Sequence, residues 1–508
     1  MCWRDRGVPM SGDYEWTVYH LCGGMGGGAL GFQQAREAWS GTAGRFHLLG
    51  GCDSDPEACE DFSVLTGVEE TCLDLFDRRQ YEDFHGKPPP ADWREATPED
   101  LRRSAGGEYP DVLVASYPCK GFSGLLPGQR AQTARYQALN GLVLRGTILT
   151  MEAFAADPPA VILMENVPRI ASRGAQLLAA VRSLLRSYGY LVQEGFYDCG
   201  EVGGLAQHRR RYLLIARHAK KLPGFIHFPP RRRVRACGEV LGPLPLPDDP
   251  AGGPMHRLPR LQWRTWVRLA LIPAGEDWRA LERKREWFDG AYKIVPWDAS
   301  AGTVTTGGGP SCGGLSVADP RLGYRPRRGA YRIVRWDEPS TTVIGSAAVR
   351  GSNGAAAIAD PRLGCAPRNG SYGVIAWDAP AKTVLGVGDV HSGSAAVADP
   401  RVPDWTARPN PPPLIVAEDG TWHRPLTTLE LAVLQGFPAF VGGQPLHLVG
   451  NADSRWRGRI GNAIPPPAAR EWGATILRSL LANLRGACAL SGEGIWVAPG
   501  LPAGSRGG

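Results

Sequence analysis

The sequence predicts an α/β protein built on a doubly wound, mostly parallel sheet that is interrupted by a long, loop-rich region. Over the first 217 residues, short apolar runs bounded by Gly, Pro or Asp alternate with segments of helical spacing, which is typical of βαβ units. From about residue 218 to 423, Pro, Arg and Trp become frequent and the helical periodicity fades. After residue 423 the first character returns.

The strands are predicted where apolar runs stop at turn residues. In chain order they are WTVYHLC, RFHLLGGC, DVLVASY, AVILMEN and RYLLIA, and the segment GAQLLAAVRSLLRSYG has helical spacing. In RPLTTLELAVLQGFP we expect a helix that begins near Thr427 or Thr428 and closes at Gly436 and Pro438. The simplest arrangement returns residues 424–508 to complete a first domain of residues 1–217, with residues 218–423 inserted as a second domain.

Composition excludes several classes of protein. The chain has 508 residues, of which 43% are hydrophobic and 21% charged, as in ordinary globular proteins. No apolar run approaches the ~18 residues needed to span a bilayer, and the first residues lack a signal-peptide core, so we expect a cytoplasmic protein that does not bind membranes. Eleven cysteines without CxxC pairs predict neither disulfides nor a metal site.

A repeat lies within the inserted region. Its three copies begin YKIVPWD, YRIVRWD and YGVIAWD, end in ADPR, and occupy residues 292–323, 331–364 and 372–401. Three units are too few for a closed propeller, so we expect stacked modules of strands and loops. The modules are either structural spacers or a means of bringing their glycine-rich loops to a polymeric ligand.

A basic run extends from Gln207 to Gly238, with ten Lys or Arg and no Asp or Glu. Such a run forms either a solvated basic face or a phosphate-binding surface. Charge density alone does not separate these two interpretations.

A glycine-rich turn, LCGGMGGGALGF, follows the first predicted strand at residues 21–32. Glycines at this edge of a parallel sheet let the backbone approach a nucleotide closely. Asp53 follows the next strand, where a carboxylate can bind ribose hydroxyls, and Asp74 follows a possible third strand. Together these features predict an adenosine site without a P-loop lysine.

Potentially reactive side chains follow the later strands. Cys119 comes after DVLVASYP, and Glu165 lies at the end of AVILMEN, so both are expected at the same sheet edge. Gln207, Arg209 and Arg211 alternate, and the period of two in an extended segment predicts that they share one face. Taken alone, Cys119 is either a small buried hydrophobic residue or a nucleophile, and a nucleophile requires a reachable, partly ionised thiol near cations.

The combination of motifs resembles the cytosine-5 DNA methyltransferases. The resemblance is carried by the glycine turn, Pro118-Cys119 followed by GFS, ENV at 165–167, QxRxR at 207–211, RPLTxxExxxLQGFP at 424–438, and Gly461-Asn462 with Pro465. It implies a Rossmann-like S-adenosylmethionine-dependent methyltransferase sheet. It also implies that residues 218–423 are a target-recognition domain.

The resemblance implies a role for each catalytic candidate. Cys119 adds to carbon 6 of a cytosine flipped out of the duplex, and Glu165 holds or protonates the ring at N3. Arg211 holds the base carbonyl, and Arg209 helps to place a phosphate and the thiol. Carbon 5 then takes the methyl group of S-adenosylmethionine.

The resemblance also implies binding residues and partners. The cofactor is expected to contact Cys22, Gly24, Met25, Gly26, Asp53, Asp74, Leu75, Pro118, Asn462 and Ile464. Double-stranded DNA is expected to contact Lys120, Ser123, Gln207 and Arg424. The implied enzyme is a prokaryotic or phage-encoded, nucleoid-associated monomer, with a cognate restriction nuclease as a further partner.

Three positions depart from the family pattern. Cys22 replaces an aromatic residue, His20 replaces an acidic one, and Lys120 replaces a glutamine. The added cation would lower the pKa of the neighbouring thiol or contact a phosphate. Alternatively, Cys22 and Lys120 together would admit a carboxylated S-adenosylmethionine, giving a larger cytosine substituent. An RNA cytosine methyltransferase and an inactive DNA-binding homologue are further alternatives.

Overall fold

The computed structural model describes most of the chain outside the first two repeats. The described residues are 12–118, 121–122, 132–261, 263–276, 279–280, 294–295, 316–317, 333–334, 357–358, 371–384, 386, 390, 393–401, 403, 414–492 and 496–497. Cys119, Lys120 and Ser123 lie outside this set.

The main sheet has eight strands. They are β1 (Gly12–Leu21), β2 (Arg36–Trp39), β3 (Thr42–Asp53), β4 (Glu70–Cys72), β5 (Val112–Ala115), β6 (Val161–Asn166), β7 (Tyr190–Asp198) and β8 (Arg210–His218). Their order is β2-β3-β1-β5-β6-β8-β7, with β4 also paired to β3. Strands β3, β1, β5 and β6 run parallel to one another, and β8 runs antiparallel to its neighbours β6 and β7. This mostly parallel sheet confirms the predicted Rossmann-like α/β fold.

Apolar sequence explains the centre of this sheet. All residues of β5 (VLVA) and β6 (VILMEN) are buried, as expected for parallel strands covered by helices on both faces. The edge strand β7 was not predicted. Its sequence YLVQEGFYD is half-exposed and lacks a continuous apolar run, so its position depends on pairing with β8.

Thirteen helices are described. They are α1 (Gly27–Gln34), α2 (Pro56–Thr66), α3 (Arg78–His85), α4 (Pro98–Ser104), α5 (Ala134–Ala153), α6 (Ile170–Arg173), α7 (Ala175–Ser187), α8 (Cys199–Gly203), α9 (Cys237–Leu241), α10 (Trp263–Leu271), α11 (Thr428–Leu434), α12 (Asp453–Asn462) and α13 (Pro466–Leu484). None of these described helices is long and apolar enough to cross a bilayer.

The helices cover both faces of the sheet. Side chains of α5 and α7 form one core with the sheet, and those of α1 and α13 form another on the opposite face. The C-terminal helix α13 packs so closely on α1 that a Cβ at Gly31 would lie 2.3 Å from the Pro466 carbonyl oxygen. The end of the chain therefore completes the layer that covers β1 and β3.

A third core lies beyond the carboxyl edge of the sheet. It combines α9, α11 and α12 with residues of a three-stranded sheet formed by β13 (Val374–Ile375), β14 (Ala396–Asp399) and β15 (Trp422–Pro425). Local sequence fixes α11, because Thr427 and Glu430 form a capping box at its start. The predicted helix in RPLTTLELAVLQGFP is thereby confirmed. Four further short strand pairs are described: β9 (Ile294–Val295) with β10 (Ser316–Val317), β11 (Ile333–Val334) with β12 (Ala357–Ile358), β16 (Phe440–Val441) with β17 (Gln444–Pro445), and β18 (Cys488–Ala489) with β19 (Trp496–Val497).

Candidate active site

The glycine turn is shaped by close contacts that exclude side chains. Gly24 and Gly26 have positive φ angles of 57° and 81°. A Cβ at Gly23 would lie 2.3 Å from Glu70 Oε1, and a Cβ at Gly27 would lie 2.3 Å from the Ile464 carbonyl oxygen. The turn after β1 is therefore a backbone cradle whose glycines are required by its geometry.

Two carboxylates border this cradle. Asp53, at the end of β3, accepts a hydrogen bond from the Gly24 backbone N–H at 3.0 Å, and its other oxygen accepts from Asp55. Burial raises the pKa of Asp53. Asp74 accepts hydrogen bonds from the Phe76 N–H and from the Trp93 indole N–H, at 3.0 and 3.2 Å. The fold thus brings together the predicted adenosine-binding acids and the glycine turn.

The other predicted cofactor residues have different environments. Cys22 is half-buried with φ 53°, and its pKa is raised by burial and then by the nearby Asp53. Met25 is fully buried, and its side chain belongs to the third core. The remaining predicted residues are Leu75, which is buried, Pro118 and Ile464, which are half-buried, and Asn462, which is exposed.

These features fit S-adenosylmethionine. A glycine turn gives backbone access, and the two carboxylates near Cys22 suit ribose hydroxyls and a positively charged sulfonium group.

His20 is 2% exposed and packs edge-on against Phe32, and burial lowers its pKa to about 3. His20 is therefore a neutral core residue and adds no charge to the site.

A buried ion pair lies at the carboxyl edge of the sheet. Glu165, at the end of β6, accepts from Arg211 Nε at 2.7 Å, and both residues are less than 10% exposed. Arg211 also donates to the Arg210 carbonyl oxygen at 2.9 Å. Because β6 and β8 are neighbours, the antiparallel pairing of these strands brings the two side chains together. A cavity of about 20 Å³ below the pair is lined by Leu163, Cys199, Trp472 and neighbouring apolar residues.

Two asparagines that contact residues flanking Cys119 in the chain were not recognised as site residues from the sequence. Asn166, 1% exposed, donates to the Tyr117 carbonyl oxygen at 3.4 Å, two residues before Cys119. Asn140 lies against Gly121, where a Cβ would be 2.1 Å from its Oδ1 atom. Asn166 ends an apolar strand and Asn140 lies within the long helix α5, so an uncharged amide in an apolar segment was the available signal.

Gln207 and Arg209 are buried, so the predicted contact of Gln207 with DNA is replaced by internal hydrogen bonds, while the predicted contact of Arg209 with Cys119 lies outside the described residues. Gln207 donates to the Leu434 carbonyl oxygen at 2.9 Å and to Gln435 at 2.7 Å. Arg209 donates to the backbone carbonyl oxygens of Gly461 and Ala463 at 2.9 and 3.0 Å. The alternation does give these two side chains a common direction, but they point towards the third core. Sequence reasoning also missed Gln435, which donates to Ala463 O at 2.7 Å.

Arg424 is fully buried, so its predicted contact with DNA is replaced by an internal role. Its guanidinium donates to Asp399 at 2.7 and 3.0 Å and to Glu430 at 2.7 and 2.9 Å, and both carboxylates are themselves fully buried. Burial alone would raise the pKa of Glu430, but the adjacent guanidinium outweighs it and lowers the pKa. Arg424 thus links β14, β15 and α11.

The basic run is not a continuous cationic face. Arg217 is buried against the carbonyl oxygens of Leu222 and Pro223. Acidic partners lie within 4 Å of further cations in the run, in the pairs Lys221 with Asp157, Arg231 with Glu201, Arg232 with Glu471, and Arg233 with Glu239. These contacts partly neutralise the run, and its interpretation as a phosphate-binding surface stays a prediction. Within the described ranges, no cluster of three or more His, Cys, Asp or Glu could hold a metal ion.

Sequence comparison identifies the family that these features resemble. Residues 16–232 match the family model of the C-5 cytosine-specific DNA methylases. The chain is also 27% identical over 257 residues to the Type II methyltransferase M.XorII of Xanthomonas oryzae pv. oryzae. That alignment covers 49% of this chain, and the chain spans about half the length of this curated relative. The resemblance inferred from the motifs is thereby confirmed.

Several solved structures have a similar but distant fold. The Entamoeba histolytica methyltransferase EhMeth aligns with a TM-score of 0.47 at 12% identity, covering 93% of this chain and 99% of that one. The S. pombe Dnmt2 methyltransferase gives 0.45 at 13% identity, covering 92% and 99%. A putative DNA modification methyltransferase of an E. coli prophage gives 0.42 at 15% identity, covering 92% and 99%.

Proposed function

Because residues 16–232 match the C-5 cytosine-specific DNA methylases, we propose that the protein is a DNA (cytosine-5-)-methyltransferase. The substrate is a cytosine in a specific sequence of double-stranded DNA, and S-adenosylmethionine supplies the methyl group when bound. The observation that carries this proposal is the Glu165–Arg211 pair, which lies at the carboxyl edge of the sheet together with the glycine cradle and Asp53.

The chain's own residues account for the chemistry. The Cys119 thiolate adds to carbon 6 of the extruded cytosine, which makes carbon 5 nucleophilic enough to accept a methyl group. Loss of the carbon 5 proton and of the thiolate then releases the product. Glu165 is held by Arg211 through Oε1, which leaves its second oxygen for N3 of the ring. Asn166 fixes the backbone that leads into Cys119.

Arg209 and Arg211 have separate duties in this proposal. Arg211 orients the Glu165 carboxylate, to which it is bound, and in this proposal it also holds the base carbonyl. Arg209 is a positioning residue, since its guanidinium binds the 461–463 backbone. Ile464, which follows directly, contacts the cofactor cradle through its carbonyl oxygen. Arg209 therefore supports the donor pocket from behind.

The surroundings of Cys22 favour ordinary S-adenosylmethionine over a carboxylated donor. Asp53 and Asp74 both lie near enough to raise the pKa of the Cys22 thiol. Two carboxylates attract a sulfonium cation and repel an added carboxylate. Mass spectrometry of cytosines from cells that express the protein should therefore show 5-methylcytosine, and a larger substituent would establish the alternative donor.

Methyl transfer from labelled S-adenosylmethionine tests the reaction. Wild-type protein should label duplex DNA, and Cys119→Ser should abolish labelling. Glu165→Gln should reduce the rate about 10²–10⁴-fold, as expected for loss of a positioned acid or base. Labelling of structured RNA but not of DNA would reassign the substrate, and unchanged rates for Cys119→Ser would refute the mechanism.

The biological setting is part of the same proposal. Bisulfite sequencing of DNA from a methylation-free host would give the target base and its context. Sedimentation of the pure protein with and without duplex DNA tests the proposed monomer. A cognate restriction nuclease would have to cut the sequence that this protein methylates. Survival of a host that expresses both proteins tests such a partner and the cytoplasmic location that it requires.

A further inference from the structure

The three repeats form the same pair of strands. Ile294–Val295 pairs in parallel with Ser316–Val317, Ile333–Val334 with Ala357–Ile358, and Val374–Ile375 with Ala396–Val397. In every copy the first strand begins two residues after the repeat's Tyr, and the residues that pair with it end two residues before the repeat's Asp. The repeats are thus three copies of one structural module, paired in one register.

The third copy is joined to the catalytic domain mainly through its backbone. Ala381 N donates to the Ala206 carbonyl oxygen at 2.8 Å, and Ala381 O accepts from the His208 N–H at 2.9 Å. Farther back, the Trp377 carbonyl oxygen accepts from the Gly238 N–H at 2.7 Å. Main-chain bonds of this kind are insensitive to the side chains of the partner segment. They can be formed by any segment of similar shape and small side chains.

Side chains of the third copy complete the junction. Asp399 binds the buried Arg424, and Arg401 donates both to Asp399 and to carbonyl oxygens around α9. Arg401 also lies over the Trp377 ring, 5.0 Å from its centroid. Thr383 Oγ1 donates to the His208 carbonyl oxygen at 3.0 Å.

The first two copies contain the same side chains at the matching positions. The residues that match Trp377, Thr383, Asp399 and Arg401 are Trp297, Thr303, Asp319 and Arg321 in the first copy, and Trp336, Thr342, Asp360 and Arg362 in the second. At the buried positions of the third copy's strands, the substitutions are small, such as Ser316 for Ala396 and Ile358 for Val397. The main differences in sequence and length lie in the glycine-rich loops.

The chain leaves and re-enters the fold at one place. Gly275 N donates to the Val374 carbonyl oxygen at 2.8 Å, and Val374 N donates to the Glu276 carbonyl oxygen at 3.0 Å. Residues on either side of the first two copies are therefore direct neighbours. An insertion whose ends meet can be shortened without separating the elements that it connects.

We propose that the three modules are interchangeable occupants of one docking surface, formed by residues 206–209, Gly238 and Arg424. The third module occupies this surface in the structure. The first or second module binds there equally well when it is the one that precedes residue 402. Whichever module is docked brings its own glycine-rich loop to the catalytic domain. This inference goes beyond the proposed methyl transfer and does not depend on it.

Three deletion variants test the interchange. Removing residues 292–371 leaves the third module alone. Removing residues 363–401 joins Arg362 to Val402 and docks the second module, and removing residues 322–401 joins Arg321 to Val402 and docks the first. Thermal unfolding and calorimetric binding of S-adenosylhomocysteine are measured for each, with the full chain as reference. We expect all three to unfold cooperatively and to bind the ligand within about threefold of one another.

A matched substitution distinguishes docking from mere tolerance of the deletion. Asp319→Asn should leave the full chain unchanged, because Asp399 binds Arg424 there. In the variant that lacks residues 322–401, the same substitution should lower Tm by roughly 5–10 °C, since a buried pair is broken. Unfolding of the first-module and second-module variants, or an Asp319→Asn effect that is equal in both backgrounds, would overturn the proposal. If the full chain itself fails to bind the ligand, the proposed cofactor is wrong instead.

Discussion

Replacing Arg424 by Met removes the central cation of a buried ionic cluster. Arg424, Asp399 and Glu430 are all fully buried, and the guanidinium makes four hydrogen bonds of 2.7–3.0 Å to the two carboxylates. Asp399 keeps Arg401 as a partner in the variant, at 2.9 Å. Glu430 keeps only the Thr427 backbone and side-chain contacts of the α11 capping box among its described hydrogen-bond partners. The principal cost is therefore an unneutralised carboxylate at Glu430.

The expected magnitude follows from the burial of this cluster. Removing one partner of a buried ion pair costs about 3–5 kcal/mol, because the remaining charge stays desolvated. At about 2–4 °C per kcal/mol, Tm should fall by roughly 6–20 °C. The double variant Arg424→Met with Glu430→Gln removes the stranded charge and should recover part of this loss.

Differential scanning calorimetry measures these shifts, and DNA binding at several salt concentrations provides the second readout. Since Arg424 is inaccessible, the folded variant should keep the salt dependence of the wild type. A Tm within about 2 °C of wild type, together with a salt slope reduced by about 1, would refute the internal role and restore Arg424 as a phosphate contact.

Three other substitutions have definite expected outcomes. Burial raises the pKa of Glu70 from 4.5 to about 9, so the protonated side chain stabilises the folded protein at low pH, and this stabilisation is lost as pH rises through 9. The Tm of Glu70→Gln should therefore exceed that of the wild type by an amount that grows from pH 5 to 9. A difference in Tm that does not change with pH would contradict this. Gly27→Ala places a Cβ 2.3 Å from the Ile464 carbonyl oxygen, and calorimetry should show S-adenosylhomocysteine binding weakened at least ~10-fold. Gly24→Ala is the control, because a Cβ there meets open space. It should cost only the ~1–2 kcal/mol of conformational free energy that a non-glycine residue loses in the left-handed region. Arg209→Met leaves the buried carbonyl oxygens of Gly461 and Ala463 without this donor, at a cost of about 1–3 kcal/mol of folding stability each. Tm and the affinity for S-adenosylhomocysteine should therefore fall together. Loss of activity with Tm and affinity unchanged would show that Arg209 contacts substrate directly.

The sequence determined the central sheet and the edge that carries the chemistry. Strands such as VLVA and VILMEN are continuous apolar runs ended by polar residues, so their type and their ends are encoded locally. Glycines are needed wherever backbone must approach backbone, which made the cradle visible before its geometry was known. For the same reason, Asp53 and Glu165 could be placed at the carboxyl edge from strand order alone.

Only the tertiary structure decided which acceptors the arginines of the motifs bind. Arg209, Arg211 and Arg424 are equivalent in sequence, since each is a cation beside an apolar segment. Their partners are carbonyl oxygens or carboxylates distant in sequence, such as Gly461 for Arg209 and Glu165 for Arg211. A guanidinium can be satisfied by DNA phosphate or by buried acceptors, and the choice depends on which acceptors the fold brings within about 3 Å. Local pattern contains no record of that distance, so the burial of Arg209 and Arg424 could be learned only from the folded chain.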